Sequence, residues 1–368
     1  MSVDSRLRSS SLSDEAQASE SNDGNDNIRS RNTIKEVGGP MKIAINGFGR
    51  IGRAAAKVIL DKPNLELVAV NDLGDLPTLT HLLKYDSCYG IYNKEVGYDD
   101  NEIIINNHKV LFYSEKDPSK LPWQELGVDV VIESTGIFLT KETAKAHLDA
   151  GAKKVVLSAP AKDETPTFVI GVNDKKYSGE KVVSNASCTT NCIAPVMKIL
   201  EDCFGVEKSL MTTIHSYTAD QNLVDGPHKD LRRARAAAIN IVPTTTGAAK
   251  AAFKTIPSLE GRFDGLAIRV PTPIVSLADI TAVLKKKTSI EEINKMFSEA
   301  SEGEYENIIL TSEEPLVSSD LVMNPVSAIV DLPLTQVVKG DLVKVIAWYD
   351  NEWGYSNRLV ELAELIGK

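Results

Sequence analysis

The stretch KIAINGFGRIG, residues 42–52, decides the fold of this chain. It begins as a short apolar run, typical of a buried strand, and continues as the pattern Gly-x-Gly-x-x-Gly. Gly47 permits a tight turn, Gly49 lets the backbone approach a pyrophosphate, and Gly52 allows a helix to pack closely on the strand. The helix predicted over residues 53–61 would direct its N-terminus at phosphate groups. The stretch therefore predicts a strand, a turn and a helix that bind a dinucleotide.

An acidic residue at the expected spacing makes this prediction more specific. A second strand is predicted over residues 65–70, and Asp72 follows it, twenty residues after Gly52. A carboxylate at this position can bind the ribose hydroxyls of adenosine. Because the same carboxylate would repel a 2′-phosphate, the sequence predicts NAD as the cofactor rather than NADP.

Strands and helices continue to alternate after this unit. Strand-like runs occupy residues 128–133, 154–157 and 167–170, and a helical segment occupies residues 141–150. The alternation predicts an α/β Rossmann domain with a doubly wound parallel sheet. Ser158 directly follows one of the strands, at the sheet edge where such folds bind ligands, and is a candidate cofactor contact.

A second stretch, SNASCTTNC at residues 184–192, places Cys188 at the start of a predicted helix. A helix N-terminus carries unpaired N–H groups and roughly half a positive charge. We therefore expect it to lower the thiol pKa of Cys188 and to hold an oxyanion. A lone cysteine is more often a buried structural residue. Here His215 ends a strand-like run downstream and the dinucleotide motif lies upstream, and together they favour a nucleophile.

The composition limits the function further. The chain has 368 residues, 42% apolar and 25% charged, which suits two globular domains. A net charge of −10 argues against broad binding to nucleic acids or anionic membranes, and no apolar run approaches the ~18 residues of a membrane helix. The four cysteines, Cys88, Cys188, Cys192 and Cys203, have no zinc-ligand spacing and are too few for a disulfide framework. We expect a reducing, cytoplasmic setting and no bound metal.

Residues 1–40 differ from the rest of the chain. They hold seven acidic and five basic residues and no aromatic residue. Such a segment cannot bury enough apolar surface to order itself, so a disordered extension is predicted. It lacks the hydrophobic stretch of a secretory signal. A tag, a misassigned start before Met41 and a regulatory tail remain open interpretations.

With the Gly-rich loop, Cys188 and His215 taken together, residues 41–368 resemble the phosphorylating glyceraldehyde-3-phosphate dehydrogenase family. The motifs that carry the resemblance are INGFGRIG at 45–52, SCTTN at 187–191, HSYT at 215–218, DLRRAR at 230–235, PTTTGAAK at 243–250, AIRVPTP at 267–273 and WYDNEWGYS at 348–356. The resemblance implies a Rossmann domain made of residues 41–187 and 351–368. It also implies an α+β catalytic domain with a mixed sheet at residues 188–350, and a C-terminal helix, predicted over 356–366, that returns to the first domain.

The resemblance also implies a mechanism. Cys188 would attack the aldehyde of glyceraldehyde 3-phosphate to give a hemithioacetal, and His215 would take the hydroxyl proton while hydride passes to NAD. Inorganic phosphate would then attack the resulting thioester to give 1,3-bisphosphoglycerate. Imidazole suits the proton transfer because its pKa lies near the operating pH. His215 is also a candidate partner for the Cys188 thiolate in an ion pair.

Three groups of binding residues follow from the same resemblance. The substrate phosphate is assigned to Thr218 and Arg269, with Asp220 nearby, and the attacking phosphate to Ser187, Thr189, Thr246 and Gly247. Arg233 or one of its neighbours is a further candidate for phosphate binding. The residues assigned to NAD are Gly47, Gly49, Arg50, Ile51, Gly52, Asp72, Lys116, Ser158, Asn351 at the nicotinamide carboxamide and Tyr355 beside that ring.

The basic run at residues 229–235 implies, by the same resemblance, a loop that reaches the cofactor of a neighbouring subunit in a homotetramer. Two residues depart from the family pattern. Gly226 stands where many NAD-specific members have leucine, which weakens the barrier against NADP. Lys116 replaces a frequent arginine near the adenine and loses planar stacking while keeping the charge.

Three alternatives stay open from the sequence. A relative that oxidises erythrose 4-phosphate shares the design, although it typically lacks the combination of residues 217–220 with Thr246 and Gly247. An NADP-tolerant enzyme is the second alternative. A catalytically idle binding protein is the third, and intact Cys188, His215 and Arg269 argue against it.

Overall fold

The computed structural model describes residues 39–368, so the predicted extension lies outside the described residues except for Gly39 and Pro40. Residues 40–368 form one compact unit. The strands are β1 (Met41–Asn46), β2 (Leu65–Asn71), β3 (Tyr85–Asp86), β4 (Gly90–Ile91), β5 (Val96–Asp99), β6 (Glu102–Ile105), β7 (His108–Tyr113), β8 (Val130–Glu133), β9 (Lys154–Leu157), β10 (Val182–Ser184), β11 (Val206–Ser216), β12 (Val242–Thr245), β13 (Phe263–Val270), β14 (Ser276–Leu284), β15 (Ile309–Ser312), β16 (Ala328–Asp331), β17 (Gln336–Val338) and β18 (Leu342–Tyr349). The helices are α1 (Arg50–Leu60), α2 (Leu76–Lys84), α3 (Trp123–Leu126), α4 (Lys141–Asp149), α5 (Cys188–Phe204), α6 (Ala248–Thr255), α7 (Ile290–Ser301) and α8 (Trp353–Gly367).

The first sheet is the predicted doubly wound sheet. Its eight strands lie in the order β10-β9-β8-β1-β2-β7-β6-β5. The pairs on both sides of β1, with β2 and with β8, are parallel. Strand order reverses at β1, so a crevice opens at the carboxyl ends of β1 and β8, where such sheets bind nucleotides. The predicted fold class is confirmed here.

The edge of this sheet was not predicted. Strand β6 pairs antiparallel with both β5 and β7. Asn106 and Asn107 form the turn between β6 and β7, with φ of 46° and 67°. Two successive left-handed residues suit the tight hairpin turn that matches strand twist, and asparagine tolerates that conformation.

Several element boundaries differ from the prediction. Helix α1 begins three residues earlier, at Arg50, because Gly49 acts as its N-cap. The strand predicted over residues 167–170 is wrong. Thr167 makes one isolated parallel bridge to Ser184, and the chain then turns as the Val169 N–H donates to the Asn173 side chain at 2.8 Å.

The second sheet is mixed, as the resemblance implied. Strand β11 pairs parallel with β13 and antiparallel with β14, which pairs antiparallel with β18. The register sets His215 beside Arg269 on neighbouring strands. One face of this sheet is covered by α5 and its neighbours, which share one apolar core with it. The outer face carries an open groove of about 920 Å³ whose lining does not include Cys188 or His215.

The C-terminal helix α8 returns to the first sheet. Its residues Leu359, Leu362, Ala363 and Ile366 are buried in the same core as strand β1 and helix α1. The first sheet's last strand ends at Ser184 and α5 begins at Cys188. The domain boundaries at 187 and 350 remain predictions, because residues 40–368 behave as one compact unit.

A buried polar network fixes the carboxyl ends of β1 and β8. The Asn46 amide donates to Glu133 at 2.6 Å, and Trp123 Nε1 donates to His147 Nδ1 at 3.0 Å. Because Nδ1 accepts, His147 Nε2 carries the proton and donates to Glu133 at 3.0 Å. The network holds the floor of the crevice in place. Across residues 39–368 no helix is long and apolar enough to cross a membrane.

Candidate active site

Cys188 is the first residue of helix α5. The Ser187 hydroxyl caps this helix by accepting the Thr190 N–H at 3.0 Å. Cys188 thus lies at the start of a helix, as the sequence predicted, and the free N–H groups of the first turn lie beside it. Cys188 keeps partial solvent exposure, which leaves access for a small substrate.

The residue two positions before the cysteine has an unusual backbone. Ala186 has a φ of 57°, a left-handed conformation that is uncommon for a residue other than glycine. Its N–H donates to Ser184 Oγ at 3.1 Å, and its carbonyl accepts the Tyr355 hydroxyl at 3.1 Å. These two bonds hold the turn that leads into the helix. Tyr355, assigned from the sequence to the nicotinamide side, thus also supports the segment that carries Cys188.

His215 faces the thiol from the end of β11. Its Nε2 lies 3.5 Å from Cys188 Sγ, and its Nδ1 lies 2.7 Å from the carbonyl oxygen of Ser216. The Ser216 carbonyl only accepts, and at 2.7 Å it is nearer to Nδ1 than Arg269 Nη1 is at 3.2 Å, so Nδ1 carries the proton and Nε2 presents its lone pair to the thiol. This is the tautomer that a general base needs.

The ionisation states differ from the sequence-based expectation. Burial, followed by the charge of Arg269, lowers the pKa of His215 to about 3, so the imidazole is neutral. Burial raises the pKa of the Cys188 thiol, although Arg269 and the hydroxyl and N–H of Thr189 oppose it. The predicted low thiol pKa and the predicted ion pair are therefore not supported. The sequence shows the helix N-terminus but not how closely the folded chain packs around the thiol.

Arg269 and Thr218 form an anion-binding corner beside His215. Arg269 Nη1 donates to Thr218 Oγ1 at 3.0 Å and to the Ser216 carbonyl at 3.1 Å. Arg269 Nε is buried and has no hydrogen-bond partner among the described residues. A guanidinium with an unused buried donor suits a phosphate or carboxylate ligand. The structure thus brings together the two residues assigned to the substrate phosphate.

Arg233 is held by its neighbours rather than presented to a ligand. It pairs with Asp220, and it donates to Thr244 Oγ1 at 3.0 Å and to the Thr245 carbonyl at 3.1 Å. Asp220 in turn accepts the Thr218 hydroxyl. The arginine therefore positions Asp220 and, through it, Thr218.

Several residues assigned to the attacking phosphate already make hydrogen bonds within the protein. Gly247 is the N-cap of α6, and Thr246 Oγ1 accepts the Ala248 N–H at 3.2 Å. The Thr189 side chain is buried, and its hydroxyl lies 2.9 Å from the Tyr349 hydroxyl. The main-chain N–H of Thr189 lies in the first turn of α5, where it can serve an anion.

A cavity of about 360 Å³ lies at the crevice of the first sheet. Gly47, Gly49, Asp72 and Lys116 line it. Asp72 accepts the Phe48 N–H at 2.7 Å and the Gly74 N–H at 2.8 Å, which fixes its carboxylate at the cavity wall. Gly47, Gly49 and Asp72, which the spacing of the motif connects, thus share this cavity with Lys116, which was assigned from the resemblance.

The glycines fit a dinucleotide for different reasons. A Cβ on Gly52 would lie 2.1 Å from the Gly47 carbonyl oxygen, so this position is closed by the protein itself. A Cβ on Gly49 would meet no atom within 4 Å. The fold leaves that space open, so a bound molecule can approach the backbone at Gly49. The cradle and the free N–H groups of α1 suit a pyrophosphate.

Three residues assigned to the cofactor, Arg50, Ile51 and Ser158, do not line this cavity. The Arg50 side chain donates to Asp86 at 2.7 Å and to Glu352 at 3.0 Å, while its main-chain N–H, like that of Ile51, lies in the first turn of α1. Ser158 is half-buried at the end of β9, and its N–H donates to the Glu133 carbonyl at 2.9 Å. It does not line the cavity.

Asn351 lies in the turn between strand β18 and helix α8. Its Oδ1 accepts the Ser216 hydroxyl at 2.9 Å and the Ser276 hydroxyl at 3.0 Å. Sequence reasoning missed both serines. Ser216 could have been found because it follows His215, whereas nothing local marks Ser276, which lies 75 residues from Asn351.

Comparison with known proteins gives a consistent result. Residues 41–141 match the family model described as "Glyceraldehyde 3-phosphate dehydrogenase, NAD binding domain". Residues 187–351 match the model described as "Glyceraldehyde 3-phosphate dehydrogenase, C-terminal domain". Together these matches cover more than half of the chain.

Curated bacterial proteins are similar over nearly their whole length. The glyceraldehyde-3-phosphate dehydrogenase of Geobacillus stearothermophilus is 53% identical over 328 residues, which cover 89% of this chain and 98% of that protein. The protein of that name from Mycolicibacterium smegmatis is 54% identical over 337 residues, covering 89% and 99%. The glyceraldehyde-3-phosphate dehydrogenase 1 of Bacillus subtilis is 52% identical over 330 residues, covering 89% and 98%.

The two glycines predict separable effects. Gly52→Ala should lower the free energy of unfolding by about 1–3 kcal/mol, because the new Cβ overlaps the Gly47 carbonyl. Gly49→Ala should leave unfolding almost unchanged and weaken NAD binding by about tenfold or more, because its Cβ occupies the ligand's space. Urea denaturation and calorimetric titration with NAD measure the two quantities. Gly97→Ala in β5, which also meets no neighbouring atom, is the matched control and should change neither. Destabilisation by Gly49→Ala equal to that of Gly52→Ala would contradict this account.

The thiol–imidazole contact predicts the reactivity of Cys188. His215→Asn should slow alkylation of Cys188 by iodoacetamide at neutral pH by about tenfold or more, since a thiol of raised pKa loses its base. Mass spectrometry of the peptide that contains Cys188 measures the rate. His108→Asn is the control, because His108 contacts the Leu67 carbonyl on the first sheet. An unchanged rate in His215→Asn would remove His215 from its role.

Proposed function

We propose, from the premise that this chain belongs to the glyceraldehyde-3-phosphate dehydrogenase family, that it oxidises glyceraldehyde 3-phosphate with NAD and phosphate to 1,3-bisphosphoglycerate. This activity is a step of glycolysis. The observation that carries the proposal is the contact of 3.5 Å between Cys188 Sγ and the unprotonated Nε2 of His215. Arg269 and Thr218 stand beside this pair as an anion site.

The first step forms a covalent bond to the substrate. Cys188 Sγ attacks the aldehyde carbon while His215 Nε2 takes the thiol proton. The aldehyde oxygen gains charge, which the free N–H groups of the first turn of α5 stabilise. The oxygen then receives the proton from His215, which gives a hemithioacetal and restores the neutral imidazole.

The second step oxidises the bound carbon. His215 takes the hemithioacetal hydroxyl proton, and the carbon loses a hydride as its C=O bond re-forms. NAD supplies the hydride acceptor when it is bound. The product is a thioester on Cys188, which conserves the free energy of the oxidation. Burial and the charge of Arg269 keep the His215 imidazole neutral at neutral pH, so its Nε2 lone pair is free.

The third step releases the product. An oxygen of inorganic phosphate attacks the thioester carbon, and the C–S bond breaks. Cys188 leaves as a thiolate and recovers its proton from His215. Thr246, Gly247 and the capping residue Ser187 are the proposed binding residues for this phosphate, since helix N-termini favour anions.

The substrate and cofactor are held by separate groups. Thr218 and Arg269 bind the substrate phosphate, and Arg233 supports them through Asp220. In the cofactor cavity Asp72 and Lys116 hold the adenosine, and the glycine turn with the N–H groups of α1 holds the pyrophosphate. Asn351 binds the nicotinamide carboxamide, beside Tyr355.

The proposed assembly is a homotetramer in the cytoplasm. Leu231, Ile239 and Ile241 are 81%, 80% and 70% exposed on the loop between β11 and β12. Large apolar side chains so exposed, close together in one loop, support burial against another subunit. All four cysteines are free, and a catalytic thiol suits a reducing compartment.

Steady-state NADH formation tests the proposed reaction. The chain should reduce NAD with glyceraldehyde 3-phosphate only when phosphate is present, since without it the thioester is not released. NADP in place of NAD and erythrose 4-phosphate in place of the substrate should give lower kcat/KM. Turnover that ignores phosphate would contradict the mechanism, and a preference for either replacement would contradict the assignment of substrate or cofactor.

A further inference from the structure

We propose that Ser216 and Ser276 are positioning residues for hydride transfer, because their hydroxyls together clamp the Asn351 amide. The inference rests on the proposed function, in which Asn351 binds the nicotinamide carboxamide. It adds two residues that touch neither substrate nor cofactor. They fix where the nicotinamide ring lies relative to the carbon bound to Cys188.

The clamp is a buried, three-residue hydrogen-bond group. Ser216 Oγ donates to Asn351 Oδ1 at 2.9 Å, and Ser276 Oγ donates to the same atom at 3.0 Å. Ser276 Oγ also accepts the Ser216 N–H at 3.1 Å. All three residues are at most 4% exposed. Low exposure strengthens these bonds and restricts the side chains to one arrangement.

The clamp determines which end of the amide a ligand meets. A carbonyl oxygen has two acceptor sites, and two hydroxyl protons occupy both of them. The Asn351 Nδ2 group is therefore left with its two donor protons. A carboxamide carbonyl is the matching acceptor, so the clamp selects one orientation of a nicotinamide amide and, with it, one ring face.

The backbone around Asn351 is anchored by three other segments of the chain. Asp350 accepts the Tyr89 hydroxyl and the Met323 N–H, both at 2.8 Å, and Glu352 pairs with Arg50. The side chain of Asn351 is the only one of these three turn residues directed to the serines. Its backbone and its amide are thus fixed by different parts of the fold.

Ser216 also connects the clamp to the general base. Its hydroxyl holds Asn351, while its carbonyl accepts the His215 Nδ1–H at 2.7 Å. One residue therefore places both the proton acceptor and the amide that binds the nicotinamide.

The backbone that carries Ser276 is strained. Val275, directly before Ser276, is buried with a φ of 67°, a conformation in which a β-branched residue is a clear outlier. The surrounding structure must enforce this backbone, and such enforced conformations concentrate at functional sites. The strained Val275 backbone thus supports a functional role for the neighbouring Ser276.

Single substitutions test the proposal in the full chain. Ser216→Ala and Ser276→Ala should each lower kcat by about fivefold to tenfold, the scale of one hydrogen bond, while the dissociation constant for NAD changes by about threefold or less. With NAD deuterated at C4, the variants should form NADH labelled on both ring faces, whereas the unchanged protein labels one. Ser216→Thr keeps a hydroxyl and should restore most of kcat and the single labelled face.

The controls separate positioning from a general structural role. Ser209→Ala removes a buried hydroxyl from the same strand, where it donates to the Thr281 carbonyl at 3.0 Å, and should leave kcat within about twofold. Alkylation of Cys188 should proceed at the unchanged rate in all variants. Normal kcat and a single labelled face in both alanine variants would overturn the inference. A parallel loss of alkylation and kcat would also overturn it. Absence of turnover in the unchanged protein would instead overturn the proposed function.

Discussion

The site depends on one contact, between the thiol at the start of α5 and the imidazole at the end of β11. Neither side chain could be placed by its own element alone. The capped helix start and the left-handed Ala186 direct Cys188, and the Ser216 carbonyl directs His215. Their contact of 3.5 Å joins the two elements, and everything else in the site is arranged around it.

Burial determines the chemistry of this contact. It raises the pKa of the thiol and lowers that of the imidazole, so the resting pair is neutral and the proton moves only as a bond to the substrate forms. Arg269 adds to this effect, because a cation beside His215 disfavours a second positive charge. The Nε of the same arginine is buried without a hydrogen-bond partner in residues 39–368, which suits the anion site proposed for it.

Local rules allowed the sequence to predict the glycine turn, Asp72, the helix that begins near Cys188 and the parallel sheet. Each of these depends on neighbours close in the chain. The contacts that the sequence did not predict depend on residues that are distant in the chain. Arg50 pairs with Glu352, 302 residues away, and the Thr189 hydroxyl contacts Tyr349, 160 residues away. The thiol pKa was misjudged for the same reason, because burial is a property of the folded chain. Ser276 was missed since no sequence motif marks it.

The most direct test of the account is to trap the thioester. With glyceraldehyde 3-phosphate and NAD but no phosphate, each active site should form about one NADH, because the acyl group then stays on the thiol. Mass spectrometry of the digested protein should find that acyl group on Cys188, and addition of phosphate should remove it. An acyl group on Cys88, Cys192 or Cys203, or NADH formation without any acylated cysteine, would contradict the account.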